Sequence, residues 1–404
     1  MKRYVIVGNG IAGVSGAQAI RKEDGEGLIT ILSDEDRPFY SRPLIVDVMT
    51  GRRREDEILL LDEGGHRLRG FDLRLGVTVE AVDAKGAAVI ADGKRIPYDR
   101  LLIAAGARPK MPFRSDGDVR PLRTLTDARA VAARLPQVRH AVVYGGGPVG
   151  MKAAHALLLK GIPVTVVVTS SHILSRVLDN KTAARMEELF RAHGAFFRFD
   201  REITGVVAGS KGLAAVVTDR GEEIPGQLMI VAKGVAPDCT VAAEAGMDTD
   251  VGIVVGETME TSIPGVYAAG DVAQGPRAGD GIREVVSLWH VGAGQGRVAG
   301  VSMAGGNVAY EGSVGSNSME FFGTACISMG RVTGEDCEEV IVEGKDVYAR
   351  YLFRGPRLQG ALLMGNIEEA GVILRALREG MPISDRSILV GKRPAGQSTM
   401  EVLF

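Results

Sequence analysis

The chain has 404 residues, too many for one ordinary core, and its 45% hydrophobic and 24% charged content is that of a globular chain, not a disordered one. With 48 Lys+Arg against 50 Asp+Glu the net charge is -2, which gives no electrostatic reason to bind nucleic acid or an anionic membrane. The sparse cysteines, Cys239, Cys326 and Cys337, spell no C-x-x-C, zinc site or disulfide framework, as expected in a reducing cytoplasm. No run approaches the roughly 18 apolar residues of a membrane span. The stretch after Lys2-Arg3 imitates a signal peptide, but its glycines and Asn9 fit a strand, a turn and a helix better.

The strand is the β-branched run Tyr4-Val-Ile-Val7, which enters Gly8-Asn9-Gly10-Ile11-Ala12-Gly13, a G-x-G-x-x-G turn, and residues 13–20 continue as a helix. Backbone without Cβ atoms there lets a pyrophosphate approach a helix N-terminus. Residues 28–32 predict the next strand. About 20 residues beyond Gly13, Asp34 stands where such a unit places the carboxylate for the ribose hydroxyls, with Glu35 as second choice. Then come Pro38-Phe39-Tyr40-Ser41-Arg42-Pro43, a solvated charge run at 52–55 and a strand-like segment 76–80. Residues 98–109 read as a buried strand ending in the turn Ala104-Ala105-Gly106, with Arg108 beyond it.

A capped helix is predicted over 124–135, with Asp127 in its first turn. Ala141-Val-Val-Tyr144 then enters Gly145-Gly146-Gly147-Pro148-Val149-Gly150, a second strand-turn-helix. Two such turns imply two dinucleotides, the second a nicotinamide nucleotide. After the strand 164–168, Thr169-Ser170-Ser171-His172 supplies neither the acid of an NAD site nor an arginine for a 2′-phosphate, so the choice stays open. Residues 221–233 read as a hairpin-like return, 232–237 as a glycine-proline turn holding Gly234, and 261–272 as a strand ending at Gly270-Asp271. A helix from Trp289 follows. Beyond Tyr310 come strand-like stretches at 315–330 and 347–364 and a helix over 367–379.

These motifs in this order resemble the flavoprotein pyridine-nucleotide oxidoreductases over essentially the whole chain, closest in look to rubredoxin reductases and the flavin half of nitrite reductases. The resemblance implies an α/β fold of two Rossmann-like dinucleotide-binding domains, one inserted in the other, plus a C-terminal α+β domain. The FAD-binding domain would comprise 1–113 and 245–309, the NAD(P)-binding domain 114–244 and the C-terminal domain 310–404. It further implies that Arg42 faces the FAD pyrophosphate beside Pro43, that Val79 passes its backbone near the adenine, and that Asp271 bonds a ribityl hydroxyl. Ala105 replaces a threonine usual in the family. Disulfide-reducing members carry a redox cysteine near residue 42; none precedes Cys239 here, which excludes a cysteine relay beside the flavin.

The implied activity takes hydride from NAD(P)H to the flavin and passes electrons to a rubredoxin- or iron-sulfur-type carrier. An NAD(P)H oxidase or quinone reductase, and a flavin-containing docking subunit of a larger redox complex, are the alternatives; a homodimer is expected otherwise. Related reductases pair a lysine and a glutamate beside the flavin. The matching positions here are Asp47 and Lys152, with the signs exchanged together, so a reversed ion pair is expected.

Overall fold

A computed structural model of the chain describes residues 1–114, 118–210, 212–278, 282–334, 336–345, 347–383, 386 and 389. The chain divides into two compact units. One comprises Met1–Arg42, Arg54–Arg108 and Val235–Ser313; the other comprises Pro43–Arg53, Pro109–Gly234 and Val314–Phe404.

The first unit is built on five parallel strands in the order Val266–Ala268, Arg100–Ile103, Arg3–Val7, Leu28–Ser33 and Phe71–Leu75. Their interiors are apolar without alternation, because a parallel sheet is covered on both faces. Tyr4, Ile6, Ile31, Leu101, Leu102 and Ile103 are accordingly buried. The helices Ile11–Glu23 and Trp289–Ala304 pack in close backbone contact. A Cβ on Gly296 would stand 2.1 Å from the Ala12 carbonyl oxygen, and one on Gly300 2.3 Å from that of Gly16. Glycine at these positions sets how near the two helices come.

The second unit repeats the parallel plan, in the order Val119–Pro121, Leu228–Val231, Ala141–Tyr144, Val164–Val167 and Ala195–Arg198. Thr124 and Asp127 close a capping box on the helix Leu125–Arg134, and the chain continues through Pro136 as a short 3-10 turn. The hairpin-like return expected at 221–233 is half of one. Glu223–Pro225 pairs antiparallel with Gly212–Thr218, but Leu228–Val231 joins the parallel sheet, because its four apolar residues are buried on both faces.

An antiparallel sheet in the order Ser316–Phe321, Thr324–Gly330, Arg357–Met364, Tyr348–Arg354 and Glu338–Glu343 belongs to the same second unit. The helix Ala370–Glu379 packs its apolar side on it, and residues 390–404 lie outside the described residues. Polar contacts tie this sheet to the parallel part: the Tyr348 hydroxyl donates to Asp179 at 3.0 Å, and Glu343 pairs with Lys181 and Arg185.

Candidate dinucleotide and flavin sites

The two glycine turns have one construction. Gly8 and Gly145 take φ of +111° and +124°, and a Cβ would fall 2.2 Å from the Ala104 carbonyl oxygen in the first and 2.3 Å from that of Ala232 in the second. A Cβ on Gly13 would meet the Gly8 oxygen at 2.0 Å, and one on Gly150 the Gly145 oxygen at 1.9 Å. Only glycine lets strand, turn and helix pack so closely.

At the mouths the opposite holds. Gly10 and Gly147 are the N-caps of the helices Ile11–Glu23 and Pro148–Leu159, and a Cβ on either would meet nothing within 4 Å. Neither cap position offers a side-chain acceptor, and neither first turn holds an acid. Each helix therefore presents bare N–H donors, and the positive end of its dipole, to open space. A pyrophosphate fits both places on these observations.

Around the first turn the predicted residues converge. Gly270, at φ +83°, lies beside Ala12, where a Cβ would stand 2.9 Å from the Ala12 side chain. Arg42 forms an ion pair with Glu35 and donates to the Tyr40 hydroxyl at 3.3 Å, while that hydroxyl donates to Glu35 at 2.6 Å. Burial lowers the Arg42 pKa, but the charges of Glu35, Tyr40 and Asp271 outweigh it and raise it, which puts Asp271 in the same electrostatic neighbourhood. The two acids ranked from the sequence are thus separated: Glu35 holds Arg42 and Asp34 is exposed. Gly106, at φ +77°, accepts from the Asp238 N–H; Arg108 pairs with the Asp238 carboxylate at 2.7 Å; Val79 begins a strand of a separate small sheet.

Around the second turn, Pro148 and Val149 are exposed. The Thr169 hydroxyl lies 3.4 Å from the Lys233 ammonium, Ser170 donates to the His172 carbonyl oxygen, and Gly234 turns at φ +87°.

Asp47 and Lys152 both belong to the second unit, on the helices Ile45–Thr50 and Pro148–Leu159. They are not joined directly. Gly51 ends the first of these helices in a left-handed turn that brings Arg52 and Arg53 back, and they bind the Asp47 carboxylate at 2.5 and 3.4 Å. Lys152 makes no hydrogen bond or ion pair within 4 Å among the described residues. Burial pushes its ammonium pKa down, and the charge of Asp47 opposes that shift. The expected reversed pair is a coupling at longer range, because the nearby arginines have taken the carboxylate.

The sequence reading missed Gln295 and His66. Gln295 is buried and accepts the Gly270 N–H at 2.9 Å, which fixes the turn before Asp271; a glutamine inside a glycine-rich helix was the only signal. His66 reaches Asn9 inside the first glycine turn. Burial pushes the Cys326 thiol up to about 12 and raises that of Cys239, which disfavours their thiolates. Among the described residues no cluster of three or more His, Cys, Asp or Glu could hold a metal, and no helix is long and apolar enough to cross a membrane.

A family profile described as pyridine nucleotide-disulphide oxidoreductase matches residues 2–296, and one described as the rubredoxin NAD+ reductase C-terminal domain matches residues 316–381. The nitrite reductase [NAD(P)H] of Bacillus subtilis (strain 168) is 29% identical over 98% of this chain, which spans only 49% of that protein. The epsilon subunit of the NADH-dependent phenylglyoxylate dehydrogenase of Aromatoleum evansii is 31% identical over 87% of this chain and 84% of that one. The reductase in the covalent putidaredoxin reductase-putidaredoxin complex shares the fold, with a TM-score of 0.89 over 96% of this chain and 97% of that one, at 24% identity. The chain belongs to the pyridine nucleotide-disulphide oxidoreductase family, and its class is that of the FAD-dependent NAD(P)H oxidoreductases. Within that class its C-terminal sheet is the domain found in rubredoxin NAD+ reductases.

Proposed function

We propose that the protein takes hydride from NAD(P)H onto bound FAD and passes the electrons to a rubredoxin- or iron-sulfur-type carrier. The observation that carries this reading is the pair of uncapped, side-chain-free helix starts at Gly10 and Gly147 in one chain. When bound, the flavin supplies hydride acceptance at N5 and release of electrons one at a time.

The chain's own residues do the rest. Gly8, Gly10, Ile11, Ala12 and Gly13 receive the FAD pyrophosphate with Arg42 as its cationic partner beside Pro43; Asp34 or Glu35 takes the ribose. Val79 and the segment Ala104, Ala105, Gly106 and Arg108 line the same nucleotide, and Gly270 and Asp271 hold its ribityl end. Gly145, Gly147, Pro148, Val149 and Gly150 receive the nicotinamide nucleotide, with Thr169, Ser170 and Gly234 around it. Asp47 and Lys152 supply charge that tunes the flavin. No general base is needed for hydride transfer. The domains follow as 1–113 with 245–309 for FAD, 114–244 for NAD(P) and 310–404 at the C-terminus, in a cytoplasmic protein.

A second reading, a flavin subunit of a larger redox complex, is supported by the relative that is itself a dehydrogenase subunit and by the half-length match to nitrite reductase. Anaerobic stopped-flow mixing with NADH and with NADPH separates them. Rapid bleaching of the flavin band by one nucleotide, followed by reoxidation with rubredoxin or ferredoxin, is expected. A flavin that neither nucleotide reduces transfers the assignment to the subunit reading.

A further inference from the structure

His66 is completely buried in the short helix Glu63–Leu68, yet both ring nitrogens have hydrogen-bond neighbours. Nδ1 lies 2.8 Å from the Asp62 carbonyl oxygen, and Nε2 lies 3.1 Å from the Asn9 side-chain Oδ1, the atom that turning the amide over exchanges with its nitrogen. A carbonyl oxygen only accepts, so Nδ1 carries the ring proton. The Asp62 carbonyl also accepts the backbone N–H of His66 at 3.0 Å, and the Asp62 carboxylate caps the helix on the Gly65 N–H at 2.6 Å. The ring is therefore held by the helix start.

With its one proton on Nδ1, the imidazole offers a lone pair at Nε2. The Asn9 amide can meet it only by turning its NH2 toward the ring. An amide's orientation follows from its network, and the opposite one leaves the Asn9 nitrogen buried with no partner and sets an oxygen against the Nε2 lone pair. Turning the amide satisfies both groups, and what then stays unpaired is a carbonyl-type oxygen, less costly than an orphan donor. The alternative, a doubly protonated ring donating to both oxygens, would bury a cation with no carboxylate on it.

The charged groups around the ring come from its own segment: Asp62, Glu63 and Arg69. The glycine turn and the strand Phe71–Leu75 present Asn9 and the Phe71 ring, which lies edge-on at 6.2 Å; neither is charged. Burial is the largest influence and pushes the His66 pKa below its ordinary value, which keeps the ring neutral near pH 7.

Asn9 stands between Gly8 and Gly10, the residue where the turn opens. We propose that neutral His66 is a positioning residue of this turn: it accepts from the Asn9 amide, fixes the shape that aims the first helical N–H groups at the FAD pyrophosphate, and on protonation forces that amide to turn over against a buried cation. The proposal rests on the reading that the Gly8 turn holds FAD. It assigns FAD retention an acid limit set by a residue that touches no part of the nucleotide.

The test is titration of apoprotein with FAD, followed by flavin fluorescence, from about pH 8 down to the lowest pH at which the protein stays folded by circular dichroism. Wild type should lose roughly 5- to 100-fold in affinity across the step in which the ring takes its second proton, the range for one buried polar contact set wrongly. His66→Gln, whose amide can donate to Asp62 and accept from Asn9 without titrating, should match wild type within about threefold at pH 8 and lose the acid step. His66→Leu should bind weakly at both ends of the range. An acid step of wild-type size in His66→Gln, or wild-type binding by His66→Leu, overturns the proposal; should the leucine variant fail to fold by circular dichroism, the glutamine comparison decides. Nitrogen-15 histidine spectra of the FAD-free protein read the tautomer directly: Nδ1–H is expected at His66, and Nε2–H or an imidazolium at pH 8 overturns the network. Failure of wild type to bind FAD at any pH, with Nδ1–H present, would instead overturn the FAD reading of the turn.

Discussion

The two glycine turns share a backbone but differ in what supports them. In the first, the residue after the leading glycine is Asn9, whose side chain is gripped by His66. In the second it is Gly146, where a Cβ would come within 2.9 Å of the Val168 side chain, and the support is the Leu174 N–H donating to the Gly146 carbonyl oxygen at 2.7 Å. The strands that follow differ as well: one leads to Asp34 and Glu35, the other to Thr169 and Ser170. The same glycine-turn backbone is thus set in an acidic, side-chain-buttressed frame once and in a neutral, backbone-buttressed frame once. That suits one nucleotide held throughout and another that exchanges.

Glycine replacements break the comparison most sharply. Gly8→Ala places a methyl group 2.2 Å from a carbonyl oxygen at φ +111°, and Gly145→Ala does the same at 2.3 Å and +124°. A strain of about 3 kcal/mol at either site corresponds to roughly 100-fold in ligand affinity. Gly8→Ala is expected to purify without a flavin band. Gly145→Ala should keep its flavin and lose reduction by both nicotinamide nucleotides, as read by absorbance and anaerobic stopped flow. Loss of flavin from Gly145→Ala would contradict the division of roles.

The construction of the two turns was legible before any coordinates, because G-x-G-x-x-G is a steric requirement written in one residue type. The Gly270 turn beside Ala12 and the charge of Asp271 near Arg42 were expected from the family resemblance rather than from sterics, because local motifs carry local geometry. What escaped were contacts between residues distant in sequence. His66 and Asn9 are 57 positions apart, and neither breaks a pattern in its own segment. The pairing of Asp47 with Arg52 and Arg53 depended on a left-handed turn at Gly51, which redirected a charge that the sequence reading had given to Lys152. Leu228–Val231 looked like half of a hairpin because a short apolar run states its burial but not its partner.

Lys152 sharpens the comparison, since its position one turn into the second helix has no counterpart cation in the first: Ser15 stands there. Its pKa is lowered by burial, so the positive charge is complete below that value and is lost as pH rises through it, earlier than for an ordinary lysine. The rate of flavin reduction should fall over that alkaline range. Lys152→Arg should remove the fall, because arginine stays charged. Lys152→Met should shift the flavin midpoint by tens of millivolts, about 59 mV for 1.4 kcal/mol, as measured by equilibrium dye titration. An unchanged potential and pH profile in Lys152→Met would end the electrostatic role.

The smallest effect concerns a second neutral histidine, His155, on the helix that follows the second turn. Its Nε2 accepts the Phe322 N–H at 3.2 Å, and the Phe322 ring packs edge-on against it, its centroid 4.5 Å away. Burial first, then the charge of Arg52, brings its pKa down to about 4 against the opposing charge of Asp47. The unfolded chain binds this proton near pH 6.5 and the folded chain near pH 4, so the contribution to stability is complete above pH 6.5 and is lost as pH falls toward 4. Wild type should therefore melt on the order of 2 °C lower at the acid end of that window through this group. His155→Gln, which still accepts from Phe322 but does not titrate, should melt with a shallower pH slope and keep its FAD affinity. His66→Gln should flatten the dependence of FAD affinity on pH and leave the Phe322 contact alone. Equal pH slopes of melting in wild type and His155→Gln would show that the histidine on the second helix does not titrate in this window.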